Sequence, residues 1–250
     1  MNESLWFYAG ARQDGRMTNE SGSFETALTE ALSRWGMPIT SDQLAQMRAH
    51  FDAVVETNRV MNLTRITDPK EAATKHYADS LALLLWIDER RISVRSVLDI
   101  GTGGGFPAIP LAITRPDWSI TAIDGAGKKV DFVRRTARTI GVDNLHCIHT
   151  HSCHWTDTTK SDQPSAVSFD LVVCRALATL PNVMEQSALF VEPGGYLVAY
   201  QSDNIDQATL DAANRAAKSA GLKTKTPYRY SLGSGSDERR RALYPYQMVI

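Results

Sequence analysis

The sequence has 250 residues, of which 43% are hydrophobic and 22% are charged, and this composition excludes an intrinsically disordered chain. It contains no apolar run long enough to span a bilayer and no signal-peptide pattern, so we expect a cytoplasmic protein without a membrane partner. The net charge of −1 excludes a broadly basic surface, and a nucleic acid would have to be bound through a local patch.

The first third of the chain is predicted to be helical after a loose tail. Residues 1–22 show no regular spacing of apolar side chains, and we expect them to form that tail. A helical stripe of apolar residues begins after Ser23, and further helices are predicted to begin at Ser41 and at Pro69. The segment 23–94 is therefore predicted to be a helical N-terminal region.

Beyond residue 95, short β-rich segments alternate with helical patterns. The predicted strands are Ser96–Ile100, Ser119–Ile123, Leu145–His149, Asp170–Cys174, Tyr196–Gln201, Leu222–Arg229 and Tyr244–Ile250. The predicted helices are Ala108–Arg115, Lys128–Ile140, Pro181–Phe190 and Ile205–Ala220. This alternation predicts an α/β fold, a doubly wound Rossmann-like sheet of about seven strands over residues 95–250. Only the loop Ser231–Arg241 separates the last two strands, so they should form a hairpin in which one strand is antiparallel.

A glycine-rich turn follows the first predicted strand. The sequence Gly-Thr-Gly-Gly-Gly-Phe-Pro occupies residues 101–107, where Gly101 and Gly103 allow a tight turn and a close approach of the backbone to a cofactor. A dinucleotide fingerprint requires a third glycine at the place of Phe106, which argues against NAD. Asp99 lies just before the turn, where a carboxylate would oppose a pyrophosphate but can face the ammonium group of S-adenosyl-L-methionine. The turn therefore favours a sulfonium cofactor.

A second acidic residue, Asp124, ends the second predicted strand. Doubly wound folds place a carboxylate about 20 residues after the glycine turn, where it binds the ribose hydroxyls of the cofactor. The alternative is that Asp124 caps the helix that starts near Lys128.

Several short motifs occur in a distinctive order and spacing. They are Asn62-Leu63-Thr64, His76 with Asp79-Ser80-Leu81, the glycine turn running into Phe106-Pro107-Ala108-Ile109-Pro110, Asp124 with Lys128-Lys129-Val130, Arg175-Ala176 and Pro193-Gly194-Gly195. Over about residues 25–250, the chain resembles the bacterial 16S ribosomal RNA guanine-N7 methyltransferases, long called glucose-inhibited division protein B. The resemblance implies a class I methyltransferase sheet and methyl transfer from S-adenosyl-L-methionine to N7 of one guanine. The substrate would be 16S ribosomal RNA, free or within the small ribosomal subunit.

The resemblance also implies cofactor contacts at Gly101, Phe106 and Arg175. It places Ser152 and Cys153 beside the adenine, although the family commonly has a glutamate where this chain has Cys153. A second departure is Gln201, where the family tends to have a lysine after the fifth strand.

Arg175 and His76 are the residues predicted to act at the reaction centre, with Asn62 close to the substrate. Arg175 follows a predicted strand at the carboxyl edge of the sheet, and we expect it to anchor the cofactor carboxylate or the target nucleotide. The alternative is a surface ion pair. His76 and Asp79 share a helix face and either cover the site or fasten the helical region to the sheet. No general base is expected, because guanine N7 already carries a lone pair.

The predicted RNA-binding residues are Lys128 and Lys129 on a helix and Arg239 and Arg240 on a late loop. Charges on a helix are also typical of a solvated face. No metal site is predicted, because the His149–Cys153 segment has possible ligands but no second ligand pair accompanies it. We expect a monomer.

Three alternatives differ in chemistry. The first is a methyltransferase with a small-molecule or protein acceptor, the second is a non-enzymatic cofactor- and RNA-binding module, and the third is an NAD oxidoreductase. Fold alone cannot separate them.

Overall fold

The computed structural model describes residues 21–150, 168–175, 179–233 and 235–250. The tail predicted over residues 1–22 lies almost wholly outside these ranges. The predicted boundary between the helical region and the sheet domain falls just before the first strand, which begins at Ser96.

The N-terminal region is helical, as predicted. Its helices are α1 (Ser21–Ser33), α2 (Ser41–Asn58), α3 (Pro69–Ala72) and α4 (Asp79–Arg90), and a π-helical turn over Ala73–Ala78 joins the last two. Thr40 starts α2 through a reciprocal capping box with Gln43, and the Asp68 carboxylate caps α3 ahead of Pro69. Serine, threonine and aspartate at these positions bind backbone N–H groups that have no partner within the helix.

The rest of the chain alternates strands and helices. The strands are β1 (Ser96–Ile100), β2 (Ser119–Asp124), β3 (Leu145–His149), β4 (Phe169–Arg175), β5 (Val191–Ser202), β6 (Leu222–Thr224), β7 (Tyr228–Leu232) and β8 (Arg239–Met248). The helices are α5 (Ala108–Thr114), α6 (Gly127–Thr139), α7 (Leu180–Ser187) and α8 (Gln207–Ser219).

The strands form one sheet in the order β3-β2-β1-β4-β5-β8-β6, with β7 also paired to β8. Strands β1 to β5 are parallel, and β8 is antiparallel to β5, β6 and β7. The strand order reverses between β1 and β4, which is where doubly wound folds open a ligand crevice at the carboxyl ends of the strands. The predicted fold class is therefore confirmed.

Two details of the C-terminal half differ from the prediction. The strand predicted over Leu222–Arg229 is divided into β6 and β7, because Pro227 lies between them and has no N–H to donate to a ladder. The described sheet therefore has eight strands. The predicted loop Ser231–Arg241 is much shorter, since β7 ends at Leu232 and β8 begins at Arg239.

The N-terminal helices and one face of the sheet share a hydrophobic core. This cluster includes Leu81 of α4, Ile109 of α5 and Phe132 of α6. A second cluster holds α7 and α8 against the opposite face. Within the described ranges, no helix is both long and apolar enough to cross a membrane.

Candidate active site at the carboxyl edge of the sheet

The glycine turn folds back onto the end of β2. The N–H groups of Gly101 and Thr102 both donate to the Ile123 carbonyl, at 2.9 and 3.1 Å. Gly101, Gly103 and Gly105 have φ angles of +78°, +57° and +93°, which other residues adopt only with strain. The glycine-rich sequence is therefore required by the shape of the turn.

Asp124 closes the turn from the end of β2. Its Oδ2 accepts a hydrogen bond from the Gly103 N–H at 3.0 Å, and its Oδ1 accepts one from the Ala126 N–H at 2.8 Å. Ala126 itself is the residue before α6, and its side chain cannot cap that helix. Asp124 thus bridges the glycine turn and the start of α6, and each of its oxygens retains a lone pair for a further donor.

Asp99 lies in β1 directly below the turn and is fully buried. Neither carboxylate oxygen makes a well-formed hydrogen bond within the described part of the chain, although the Thr102 hydroxyl and the Ala108 N–H lie nearby. Burial raises the pKa of Asp99 to about 7, and these two neighbours lower it only in part. A buried carboxylate without a partner is costly unless a ligand supplies one.

These features fit a cationic cofactor. Among the described residues, a Cβ built on Gly103 would meet only the Gly101 carbonyl, at 3.9 Å, so this part of the chain leaves open space at the turn. Asp99 offers an unpaired carboxylate to an ammonium group, and Asp124 offers lone pairs to hydroxyl groups. The two acidic residues and the open glycine backbone are suited to S-adenosyl-L-methionine.

Phe106 connects the glycine turn to the helical region. Its ring stacks on His76 with centroids 4.6 Å apart and planes inclined by 22°. The Arg175 guanidinium lies 5.9 Å from the centre of the same ring. The resemblance placed Phe106 at the cofactor, and the structure places it between the turn and the two predicted reaction-centre residues.

His76 is buried and neutral. Its Nε2 lies 2.8 Å from the Thr64 Oγ1, and its Nδ1 lies 3.2 Å from the Arg175 Nη2. Since the guanidinium can only donate, Nδ1 accepts and Nε2 carries the proton. Burial, reinforced by the charge of Arg175, lowers the pKa of His76 to about 3.

Arg175, the last residue of β4, is held by the helical region. Its Nε donates to the Asp79 carboxylate at 2.8 Å, and its Nη2 also donates to the Lys75 carbonyl. Its side chain is only 13% exposed, so this is a buried ion pair and not the surface pair considered from the sequence. Nη1 has no hydrogen-bond partner among the described residues and can meet a ligand.

Asp79 is the centre of a buried network. Besides Arg175, its carboxylate accepts hydrogen bonds from the Tyr230 hydroxyl at 2.6 Å and from Arg241 at 3.0 and 3.2 Å. Burial by itself would raise the pKa of Asp79, but Arg175 and Arg241 together hold it below its ordinary value. The carboxylate is therefore ionised and joins α4 to β4, β7 and β8.

His50 and Tyr77 lie at this site and were not predicted from the sequence. His50 is fully buried on α2, with Nε2 2.9 Å from the Gly104 carbonyl oxygen and Nδ1 2.8 Å from the Tyr77 hydroxyl. The only sign of it in the sequence is its position, three residues after Met47 on the apolar face of a helix. A polar residue in such a stripe requires a buried partner.

Comparison with known proteins places the chain in a family. The model of the rRNA small subunit methyltransferase G family matches residues 43–230, well over half of the chain. The chain belongs to this family.

A Lactobacillus johnsonii protein described as ribosomal RNA small subunit methyltransferase G is 31% identical over 208 residues, covering 83% of this chain and 85% of that protein. A Leuconostoc mesenteroides protein with the same description is 29% identical over 246 residues, covering 90% and 99%. A solved methyltransferase from Pyrococcus furiosus is similar with a TM-score of 0.50 and 14% identity, covering 84% of this chain and 100% of that one. This structural similarity, at 14% identity, supports the fold alone.

Membership of the methyltransferase G family confirms the resemblance and the prediction of an S-adenosyl-L-methionine-dependent methyltransferase. It argues against the NAD oxidoreductase, as Phe106 in place of a third glycine already did. The individual site residues stay predictions. The structure brings most of them together at the carboxyl edge of the sheet, namely His76, Asp99, Gly101, Gly103, Phe106, Asp124 and Arg175.

The remaining predicted site residues lie apart or outside the described chain. Asn62 is exposed on the loop after α2, two residues before Thr64. That loop is held by Asn58, whose Oδ1 accepts hydrogen bonds from the Leu63 and Thr64 N–H groups at 2.8 and 3.0 Å. Ser152 and Cys153 lie outside the described residues.

The predicted RNA-binding residues divide into two groups. Lys128 is exposed and Lys129 half-buried at the start of α6. Arg239 and Arg240 are exposed, but they lie on β8 and not on a loop. Successive strand residues point to opposite faces, so these two side chains cannot form one patch. Arg239 lines a cleft of about 540 Å³ beside Lys70 and Lys75.

Of the possible metal ligands, only His149 lies within the described residues. His149 has its Nε2 3.1 Å from the Gly125 carbonyl oxygen, and the other residues considered, His151 and Cys153, lie outside the described ranges. Among the described residues there is no group of three or more histidine, cysteine or acidic side chains that could hold a metal ion.

Proposed function

We propose that this protein methylates N7 of one guanine in 16S ribosomal RNA, with S-adenosyl-L-methionine as the methyl donor. The observation that carries the proposal is the position of the unpaired Asp99 carboxylate. It lies beneath the glycine turn. Phe106, at the end of that turn, contacts both His76 and Arg175. A cofactor cradle and a candidate substrate-facing cluster thus meet at one edge of the sheet, in a chain of the methyltransferase G family.

Four residues are proposed to hold the cofactor. The backbone of Gly101 and Gly103 would let it approach the turn, Asp99 would face its ammonium group, and Asp124 would accept hydrogen bonds from its ribose hydroxyls. The resemblance adds Ser152 and Cys153 beside the adenine. Bound there, S-adenosyl-L-methionine would supply an electrophilic methyl group on a positively charged sulfur.

The acceptor needs alignment more than activation. The N7 lone pair of guanine forms the new bond to the methyl carbon while the carbon–sulfur bond breaks, and no proton is transferred. The protein must hold the guanine in line with that bond and exclude water, which can lower the barrier by several kcal/mol, up to ~10 for well-oriented groups. The absence of a required base agrees with a site in which His76 is neutral and already paired.

The charge of the product also suits this site. N7-methylguanine is cationic, so a nearby unpaired cation would oppose its formation. Burial keeps His76 neutral, with a pKa of about 3, and Asp79 offsets part of the positive charge that Arg175 and Arg241 bring to the site. We propose that Arg175 uses its remaining Nη1 for the cofactor carboxylate or the target nucleotide, and that Asn62 lies beside the bound base.

RNA would be held by local cations around this edge. Lys128 and Lys129 begin α6, the helix that follows Asp124, and Arg239 lies two residues from Arg241, which contacts Asp79. Each is close in sequence to a residue of the site and is at least partly exposed. Because affinity for phosphates depends on such local charge and on salt, a net charge of −1 does not oppose RNA binding.

The proposal is tested first by calorimetry with S-adenosyl-L-methionine, S-adenosylhomocysteine and NAD. We expect the two sulfur compounds to bind and NAD not to bind. Methyl transfer is then assayed with labelled cofactor and three acceptors: 16S RNA, purified small subunits and a protein extract digested free of RNA. Label in the extract alone would favour a protein or small-molecule acceptor. Binding without transfer to any acceptor would favour the non-enzymatic module.

A further inference from the structure

His50 contacts the glycine turn from a helix that lies outside the sheet domain. It is fully buried on α2, and both of its ring nitrogens have partners. Nε2 lies 2.9 Å from the Gly104 carbonyl oxygen, and Nδ1 lies 2.8 Å from the Tyr77 hydroxyl. The α2 helix thereby reaches the backbone of the predicted cofactor turn directly.

The partners determine which nitrogen carries the proton. A carbonyl oxygen can only accept, so Nε2 donates to Gly104, and in the neutral ring Nδ1 accepts from the Tyr77 hydroxyl. Of the two neutral tautomers, only the Nε2–H form satisfies both contacts. Burial lowers the pKa of His50 to about 4, which keeps the ring neutral near pH 7.

The turn is confined on the side where His50 lies. A Cβ built on Gly105 would come within 3.3 Å of the His50 Nε2 and within 2.8 Å of the Ile109 side chain. A Cβ built on Gly104 would meet Phe106 and Leu63 at 3.6 and 3.7 Å. The peptide between Gly104 and Gly105 is therefore held by the bond from His50 to its carbonyl, by the bond from its N–H to the Thr102 carbonyl at 2.8 Å, and by the close packing around it.

We infer that His50 is a positioning residue, which holds the Gly104 peptide so that the glycine turn has its cofactor-binding shape before the cofactor arrives. Tyr77 is the second member of this arrangement, because its hydroxyl can donate to Nδ1 and so stabilises the tautomer that donates to Gly104. His50 acts through the backbone and not on the cofactor itself. The inference rests on the proposed function, since it takes S-adenosyl-L-methionine as the ligand of the turn.

The test compares variants that keep or lose the donor. His50→Phe keeps a buried ring but leaves the Gly104 carbonyl without its partner, and we expect S-adenosyl-L-methionine and S-adenosylhomocysteine to bind about tenfold more weakly. His50→Gln keeps an N–H donor and should restore affinity to within about threefold of the unmodified protein. Tyr77→Phe removes the partner of Nδ1 and should weaken binding by roughly threefold. Affinities are measured by calorimetry well below each variant's Tm.

A matched control separates positioning from stability. Phe51 is buried on the same helix and stacks on Phe24, and its side chain has no group that could hydrogen-bond the Gly104 carbonyl. Phe51→Leu should lower Tm, as a buried large-to-small change does, and leave both affinities unchanged. Unchanged affinity in a folded His50→Phe protein would overturn the inference. If that variant does not fold, unchanged affinity in Tyr77→Phe would do so.

A measurement without cofactor tests the same contact. Nitrogen NMR of the histidine rings at pH 7 should show His50 as the Nε2–H tautomer, and the Tyr77→Phe protein should show a smaller population of that tautomer. An Nδ1–H tautomer or an imidazolium at His50 would contradict the inference. Failure of the unmodified protein to bind either sulfur compound would contradict the proposed function instead.

Discussion

The Arg175 Nε donates a hydrogen bond to the Asp79 carboxylate across 2.8 Å, and this contact joins the last residue of β4 to the first residue of α4. Asp79 is 1% exposed and is also bound by Tyr230 and Arg241. The orientation of Arg175 at the candidate active site therefore depends on the helical region and on the β7–β8 hairpin. The short motif around His76 and Asp79 therefore fastens the helical region to the sheet beside the candidate active site.

Asp79→Asn should destabilise the protein strongly. The substitution leaves Arg175 and Arg241 buried without their carboxylate, and removing one partner of such a group typically costs about 3–5 kcal/mol. Urea unfolding at pH 7 measures the free energy of unfolding of the variant and of the unmodified protein. Asp117→Asn removes an exposed partner of Arg115 and should cost less than about 1 kcal/mol. Equal effects of the two substitutions would contradict a buried network.

Asp99→Asn should make the protein more stable at alkaline pH and weaken its binding of S-adenosyl-L-methionine. Burial raises the pKa of Asp99 to about 7, so the folded protein holds a proton that the unfolded chain releases near pH 4. Stability is therefore lost as pH rises from about 4 to 7, by at most ~1.4 kcal/mol per pH unit, and asparagine avoids this loss.

The two effects of Asp99→Asn are measured separately, by unfolding at pH 5 and pH 8 and by calorimetry with the cofactor. The difference in free energy of unfolding between the variant and the unmodified protein should shift in favour of the variant from pH 5 to pH 8. The cofactor affinity of the variant should fall, because no carboxylate faces the ammonium group. Unchanged affinity in the more stable variant would show that Asp99 does not meet the cofactor's charge.

His50→Gln should change how stability depends on pH below neutrality. Burial lowers the pKa of His50 to about 4, so between pH 6.5 and about 4 the unfolded chain binds a proton that the folded protein excludes. Stability from this residue is present above pH 6.5 and is lost as pH falls. Glutamine does not titrate. As pH falls, the free energy of unfolding of the variant should therefore rise relative to that of the unmodified protein, by up to ~1.4 kcal/mol per pH unit.

Unfolding of both proteins at pH 7, 6 and 5 measures this difference. His76, with a pKa of about 3, remains in both proteins and provides the same slope in each. Parallel stability curves would contradict a buried neutral His50.

Arg239→Glu should weaken RNA binding more than Arg240→Glu does. The two side chains are adjacent on β8 and exposed, but alternation turns Arg239 to the face of Arg241 and Asp79, and Arg240 away from it. Loss of one phosphate contact should reduce the salt slope of RNA affinity by about 1. Binding of each variant to a 16S RNA fragment is measured at several salt concentrations to give its salt slope. Equal slopes for the two variants would show that RNA does not bind at the cleft lined by Arg239.

Most of the fold could be predicted because its signals are local. The spacing of apolar residues and the capping residues marked α2 and α3, and the predicted limits of Ser96–Ile100 and Leu145–His149 agree with the structure. The antiparallel pairing of the last two predicted strands could be predicted from the loop between them, but the division of the first of them into β6 and β7 could not. That division depends on Pro227, which has no N–H to donate within the segment 222–229.

The site was predictable only where a motif marks it. The glycine turn, Asp99 and Asp124 follow from strand ends and spacing, whereas Arg241 contacts Asp79 across 162 positions of sequence. Three consecutive arginines look alike in the sequence, yet Arg241 is turned inward while Arg239 and Arg240 are exposed. His50 has no motif, because its partners are a backbone carbonyl and one tyrosine hydroxyl.

The central claim is tested most directly by mapping the methylated base. The pure protein is incubated with methyl-labelled S-adenosyl-L-methionine and with 16S RNA that lacks the modification, both naked and assembled into small subunits. Cleavage specific for N7-methylguanine then locates the label. We predict label on N7 of a single guanine in at least one of the two substrates. Label on another base or atom, or no label on either substrate from protein that binds the cofactor, would contradict the proposed function.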